Sequence, residues 1–490
     1  MRTDITKNLT GTKNNSFKIE VNPEYEKMLP RWCKIEDSLE DEAQIKEKGT
    51  EYLPMPSGLL SMDKDVREAV YSAYVNRSIW YAYPRTTIGA LIGLITKKPT
   101  NFELPDALQP IEDNASIDSD SLEVVKNRVL ENQLSYSRYG ILLDIPEGAE
   151  GVDVIPQMLE YNALSILNWV TETIKGKKTL VALVLNESGE EIKEGLKRED
   201  IIRFRICALA NRESNSPVYY TYTTDEDGMK LFDIDQQPPE DAVTPSIRNN
   251  TLDFIPFQIF NAISLEMETD IPVLMQLVDI SFAIYRGEAD YRHTLFMQGQ
   301  GTPYAIGVDS SKDKIQIGAG ALIEISEPTA KVGFLEITGA GVDAQEKALT
   351  NLHKLANEQG VSLQEAGASQ SGEALGIRVG VKTASLTGIV RVNGKGFDNL
   401  LKWAADWMGL NSEEVKVAPN VDFAQSTKTT KELTDFIAGT EKGYIRLEDL
   451  YAFQVKNDFT SSTDFEEWKD ELLNSGFTAL LSGVPEETGE

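Results

Sequence analysis

A chain of 490 residues, 41% hydrophobic and 26% charged, has the composition of a folded globular protein and exceeds the size at which one hydrophobic core stops growing, so several subdomains are expected. Asp and Glu number 78 against 48 Lys and Arg, and the net charge of −30 repels phosphates and anionic membranes and disfavours stable DNA wrapping. Two cysteines, Cys33 and Cys207, are too few for a disulfide framework and point to a reducing compartment, and neither a signal peptide nor a run of about 18 apolar residues is present, so no membrane partner is expected.

In chain order, residues 1–60 begin with a polar tail and continue into an acidic stretch from Glu36 to Glu51, which predicts a solvated, partly helical arm closed by Pro54, Pro56 and Gly58. From Asp63 to Leu94, the spacing of Val66, Val70, Tyr74 and Ile79, then of Ile88, Leu91 and Ile92, predicts helices broken at Pro84 and again at Pro99. Ser121 to Tyr139 predicts an amphipathic helix capped by Gly140, followed by a strand at Ile141–Leu143. Short β-rich runs follow at Leu180–Leu185, Ile202–Leu209, Val218–Tyr222, Leu231–Ile234 and Phe254–Phe260, with a hairpin turn at Asp225–Gly228. Residues 61–271 therefore read as helices plus mainly antiparallel sheet.

Between Pro272 and Pro303 there is no proline, and helix formers continue to Gln298, which predicts a helix of roughly 40 Å. Leu274, Val278, Phe282, Tyr285 and Ala289 form one apolar stripe and Leu277, Ile280 and Ile284 another, so this helix must be covered on more than one side, with Gly287 marking a bend or a close approach. Residues 299–341 predict a Gly-rich module of strands and turns, with β-prone runs at Tyr304–Val308, Ile315–Ile317, Ala321–Ile325 and Val332–Ile337. A second helix over 342–359 and a loop over 360–370 come next. A third helix extends from Ser371 toward Met408, softened or kinked by Gly376, Gly380, Gly388, Gly394 and Gly396. A strand at Val415–Val417 and helical hairpins over 426–490, ending in an acidic tail, complete the chain.

Catalytic chemistry has few candidates. His293 and His353 are the only histidines, one on each helix flanking the β module, and neither stands in a triad or zinc motif. No Walker loop is present, and Gly318-Ala319-Gly320 and Gly339-Ala340-Gly341 lack the third glycine of a dinucleotide loop. Asp118-Ser119-Asp120 and Asp233-Ile234-Asp235 do not continue into a calcium loop. No catalytic, cofactor or metal residue is assigned, and no enzyme is expected. A soluble carboxylate-based enzyme stays as the alternative, because its two acids could stand anywhere in the chain.

The order of sheet, long helix, β insertion, returning helix, loop, long helix and helical C-terminus resembles the wing, stem, clip, stem, tunnel loop, wing and crown of tailed-bacteriophage portal proteins. Ile255-Pro256-Phe257 ahead of a helix containing Leu277-Val278-Asp279 resembles the strand that leads into a portal's first stem helix. Ser371, Gly372, Glu373, Ala374 and Leu375 resemble the "SGxAL" signature where the tunnel loop enters the wing helix. A narrower similarity is to a portal-like family catalogued as a domain of unknown function, DUF4055. It is carried by Arg138 to Asp144, Asn168-Trp169, Ala289 to His293, Gly301 to Gly307 and the two Gly-Ala-Gly elements, in order over residues 65 to 455.

The resemblance implies an α+β portal fold divided into an acidic arm over 1–60, wing over 61–271, first stem helix over 272–298, clip over 299–341, second stem helix over 342–359, tunnel loop over 360–370, wing helix and strand over 371–425, and crown and acidic tail over 426–490. It implies a dodecameric ring at one capsid vertex of the virion, made in the bacterial cytoplasm. Double-stranded DNA would pass through that ring, with large terminase, head-completion proteins, major capsid protein and scaffolding protein as partners. Gly360, Gly367, Ala368, Ser369 and Gln370 would form the tunnel loop. Lys347 and Lys354, seven apart on the second stem helix, would either line the channel or lie on an exposed helix surface beside Glu346 and Glu358. Another ring-forming virion adaptor is the remaining alternative.

Overall fold

The computed structural model describes residues 20–145, 154–174, 176–212, 217–231, 233–234, 237–299, 302–307, 328–335, 340–360, 372–421, 430–456, 459–460 and 464–474. Helix α1 (Pro23–Ser38) starts where Asn22 accepts the Glu24 amide at 2.9 Å and Pro23 supplies a preset φ. Tyr25, Met28, Trp32 and Ile35 line its buried face, the Trp32 indole donates to the Tyr136 carbonyl at 3.1 Å, and Tyr25 donates to Leu164 at 3.0 Å. This apolar stripe packs the residues ahead of the acidic stretch, and the stretch itself is held in as well, with Leu39 and Ile45 buried and Asp37 bonded to Tyr52 and Lys48, so residues 20–60 are packed and not a solvated arm.

Helix α2 (Lys64–Arg77) and helix α3 (Tyr83–Ile95) follow, with Pro84 in the first turn of α3. The break predicted at Pro84 falls over residues 78–82, and Pro84 itself stands in the first turn of the next helix, where its missing N–H has no intrahelical partner to lose. Strand β1 (Asn101–Glu103) precedes α4 (Leu122–Tyr136), which is capped at its start by Ser121. The helix ends on Ser137 at φ 54, three residues before the expected Gly140. Gly140 lies inside strand β2 (Arg138–Asp144), where any Cβ would collide with the Phe257 ring. A close approach, and not a cap, requires that glycine.

Strand β3 (Gln157–Asn162) pairs with β2, and β4 (Ile166–Ile174), β5 (Lys177–Asn186), β6 (Gly189–Lys193), β7 (Lys197–Ile201), β8 (Phe204–Ala210) and β9 (Val218–Thr224) continue the chain. The antiparallel order β4-β5-β8-β9 forms one sheet, and β6 with β7 forms a separate ribbon between β5 and β8. Asp225 accepts the Gly228 amide at 2.9 Å and opens a short helix, Glu226–Leu231, where a hairpin turn and then a strand were predicted. A ribbon of β10 (Ser246–Ile247) and β11 (Asn250–Thr251) leads to β12 (Phe257–Asn261), which joins the second main sheet in the order β12-β2-β3.

Arg205 on β8 clamps the two main sheets together. Its guanidinium donates to Asp144 on β2 at 2.7 Å and to Glu187, just past β5, at 2.6 Å, and Tyr161 on β3 donates to the same Glu187 at 2.6 Å. Burial works against the cation, but Tyr161, Glu187 and Asp144 more than offset it and hold the guanidinium above its ordinary range. Beside it, burial raises the Cys207 thiol to about 11 and, elsewhere, burial together with Glu36 raises that of Cys33 to about 12. Both cysteines stay protonated at neutral pH and are weak nucleophiles.

Helix α5 (Met275–Gly299), strand β13 (Thr302–Ile306), strand β14 (Lys331–Leu335) and helix α6 (Ala340–Gln359) make up an excursion from this core. The predicted runs at Ile315–Ile317 and Ala321–Ile325 lie outside the described residues. Helix α7 (Gly372–Trp407) returns the chain across the β12-β2-β3 sheet, with Phe397 against Phe260 at 5.2 Å and Asn393 donating to Gln133 of α4 at 2.8 Å. Helix α7 runs unbroken over 36 residues. Two of its glycines serve packing: a Cβ on Gly394 would meet Pro419 at 2.6 Å, and one on Gly396 would enter the Phe260 ring, whereas Gly388 faces open space. Strand β15 (Lys416–Ala418) closes the main unit by pairing with β1.

A second compact unit, from Asp422, holds α8 (Thr430–Glu441), α9 (Leu447–Lys456) and α10 (Phe465–Asn474) around buried Leu450 and Trp468, with Phe436 stacked on Phe453 at 4.0 Å. The whole is an α+β fold.

Candidate functional site

The excursion between α5 and α6 is an antiparallel arm. Leu277 at the start of α5 lies beside Gly360 just past the end of α6, Gly287 faces Leu349 midway, and β13 pairs with β14 from Thr302↔Leu335 to Ile306↔Lys331 beyond the helices. At 1.5 Å per residue α5 runs about 37 Å, and five residues of ribbon add roughly 17 Å.

Its root is held by aromatic and ionic contacts. Leu277, Val278, Phe282, Ile284, Tyr285 and Ala289 are buried, whereas no residue of α5 beyond Ala289 is. Tyr52 stacks on Phe282 at 4.2 Å, and Trp80, from the link between α2 and α3, packs against Phe282 at 4.9 Å and Tyr285 at 5.9 Å. Above these lies the buried carboxylate of Glu288, which accepts from Arg292 Nε at 2.7 Å, faces Tyr81 Oη at 3.4 Å and sits 3.5 Å from His353 Nε2 of α6. Tyr83 bonds the other ring nitrogen of His353 at 2.8 Å. One turn further out, Tyr74 donates to Asp290 at 2.5 Å and meets the edge of His293, and Arg77 lies 3.6 Å over the Phe296 ring. Burial, then the Arg77 cation, holds His293 below its ordinary range, so it stays neutral at pH 7. Farther out, Leu295, Met297, Tyr304, Ile306 and Val332 are exposed. The arm is thus anchored at its root and carries exposed apolar residues toward the ribbon.

Gly287 sets the spacing of the helix pair, because a Cβ there would stand 2.9 Å from Leu349 Cδ2. Gly287→Leu is expected to force α6 away from α5 at a cost of about 1–3 kcal/mol, while Gly287→Ala should stay near neutral, since Leu349 can yield and helix propensity improves by about 1 kcal/mol. Thermal unfolding of the two variants checks the difference.

The two histidines, one on each helix of the arm, are brought to the root but not to each other, each with its own tyrosine. Sequence reasoning missed this clasp, although the aromatic run Tyr71, Tyr74, Trp80, Tyr81 and Tyr83 was its visible signal. Lys347 and Lys354 are exposed on α6, on the side away from the buried Leu349 and Ala356 that face α5. Gly360, predicted as the first residue of an inward-projecting loop, is buried: its amide donates to Ala356 at 2.8 Å, and a Cβ would strike Thr87 of α3. Gly367, Ala368, Ser369, Gln370 and Ser371 lie outside the described residues. Gly372, Glu373, Ala374 and Leu375 open α7, and their side chains are not among those described. Among the described residues no cluster of three or more His, Cys, Asp or Glu could hold a metal ion, and no helix is long and apolar enough to cross a membrane.

Fold and arm together define an α+β protein whose core carries a helix–ribbon–helix lever. A family described as "Domain of unknown function (DUF4055)" matches residues 273–408, which run from the start of α5 to the end of α7. No curated protein matches the chain. A solved chain from "Neck of native GTA particle computed with C12 symmetry" is similar at 9% identity, covering 72% of this chain and 84% of that one, at a TM-score of 0.35, too low to establish a common fold.

Proposed function

We propose that this chain is the portal, or head-to-tail connector, protein of a tailed bacteriophage. In this reading twelve or so copies form a ring at one capsid vertex of the virion, double-stranded DNA enters and leaves through the ring, and terminase and then head-completion proteins dock on its exposed end. The chain itself is not an enzyme in this reading, and the packaging motor supplies ATP hydrolysis. The observation that carries it is the arm: two antiparallel helices locked at their root and joined to a two-stranded ribbon at the other end are the parts a stem and clip require. The family match over residues 273–408 falls on this same arm and the helix that follows it. Net charge supports it too, since a chain of net charge −30 gives passing phosphates little overall attraction on which to settle.

Lys347 and Lys354 are assigned to the channel wall as rings of weak attraction for passing phosphates. Reversing both to Glu is expected to reduce DNA retention several-fold in a packaging assay, each lost phosphate contact weakening the hold. Unchanged packaging and retention would sink that assignment. For the reading as a whole, sedimentation of the purified full chain should give a single closed species of about twelve subunits. A monomer at all concentrations up to those of assembly contradicts it.

A further inference from the structure

The β4-β5-β8-β9 sheet contains a ribbon longer than the sheet itself. Strands β5 and β8 stay in register from Ala182↔Ala208 to Asn186↔Phe204, the backbone amide of Glu187 donates to the Arg203 carbonyl at 2.8 Å, and β6 and β7 continue without slip from Gly189↔Ile201 to Lys193↔Lys197. The flanking pairings stop at Ile166↔Leu185 and Phe204↔Thr224, so among the described strands none covers either edge of residues 189–201. At the tip, Ile192 is 61% and Leu196 84% exposed. Leu196 stands at φ 61 beside Gly195 at φ 76, a left-handed conformation that leucine rarely adopts and that holds an apolar side chain outward. At the turn itself, residues 192–198, Lys193, Lys197 and Arg198 outnumber Glu194, while Glu190, Glu191, Glu199 and Asp200 lie behind it along the ribbon, where Glu199 pairs with Lys193 at 2.9 Å and Glu190 with Arg198 at 3.0 Å.

The other end of β5 carries the complement. Lys178 pairs with Glu268, which fixes the loop 262–273 beside that end. The loop exposes Ile263 at 77%, Ile271 at 72% and Val273 at 54%. Asp270 accepts the Ile263 amide at 3.2 Å, which sets Ile263 and Ile271 on either side of that carboxylate. Glu266 and Glu268 complete an acidic rim, both exposed. At about 3.3 Å per residue, the strand from Lys178 to Lys193 separates the two apolar patches by roughly 50 Å.

We propose that the tip of one copy seats on the 262–273 loop of the next, Ile192 and Leu196 against Ile263 and Ile271. The basic tip residues then face the acidic rim, exchanging half-exposed surface ion pairs that hold little energy where they are. The occupant is a second copy of this chain because the two patches are complementary in charge and both apolar. One lies at the tip of the ribbon and the other beside the opposite end of β5, the arrangement that propagates head to tail and closes into a ring when the rotation permits. The contact rests on the ring-forming reading above and names one interface within it.

The test uses the full chain in sedimentation velocity. Ile192→Asp with Leu196→Asp is the tip variant, and Ile263→Asp with Ile271→Asp is the loop variant. Each is expected to sediment as a monomer with unchanged thermal unfolding, and an equal mixture should form dimers and go no further, because only one good tip and one good loop remain to meet. A third variant, Leu196→Cys with Ile271→Cys, should give a ladder of oxidised oligomers on denaturing gels, with either single substitution giving dimers at most. The separation forbids that bond within one chain. Rings that persist in both variants without a ladder overturn this contact and leave the portal reading standing, whereas a wild-type chain that never assembles overturns both.

Discussion

Arg205→Ala is expected to destabilise the main unit by about 3–5 kcal/mol, because it removes the one cation between two half-buried carboxylates and leaves them facing each other across the sheet junction. Asp144 at 2.7 Å and Glu187 at 2.6 Å lose their shared partner, and Tyr161 is left donating to a carboxylate whose charge nothing balances. Arg205→Lys should recover part of the loss, since an ammonium restores the charge but cannot fork to both acids. The readout is the urea midpoint at an unchanged slope. Arg446→Ala is the control. Its bonds to Asp449 within α9 are fully exposed, and the midpoint should not move.

Trp80→Ala is expected to cost about 3–5 kcal/mol and to act on the arm. The indole fills the space between Phe282 and Tyr285, so its removal leaves a cavity under the first half of α5, where the helix enters the core. Because α5 has no buried residue beyond Ala289 and, among the described residues of α6, only Val342 is buried before Leu349, loosening the root should free the whole lever. Amide exchange is expected to rise from Phe282 outward through α5 and along α6, while β5 and β8 stay protected. Uniform loss of protection across both sheets would show that the arm and core unfold together and that the root is not a separate joint.

Much of the arm was legible in the sequence because its signals are local. The proline-free run after Pro272 places α5 within about three residues, and the double apolar stripe correctly demands cover on two sides, which Tyr52 and Trp80 provide on one and Leu349 on another. The seven-residue spacing of Lys347 and Lys354 was enough to put them on one exposed face. What failed depended on distant partners. Gly140 looked like a helix cap, yet Phe257 dictates it, and Gly394 and Gly396 looked like soft points, yet Pro419 and Phe260 dictate them. No periodicity in either segment could announce that Tyr83 would meet His353. In α1 the charge of the segment hid a helical stripe that was present to be read, from Tyr25 to Ile35.

The central claim is that these chains assemble into a ring with the α5–α6 arms at one end. Electron microscopy of the purified full chain tests it most directly. The account predicts ring-shaped particles of about twelve subunits with an axial channel, in which a gold or antibody label on the β13–β14 ribbon decorates one end only. Discrete compact particles without a channel, or label scattered over the whole surface, would contradict it.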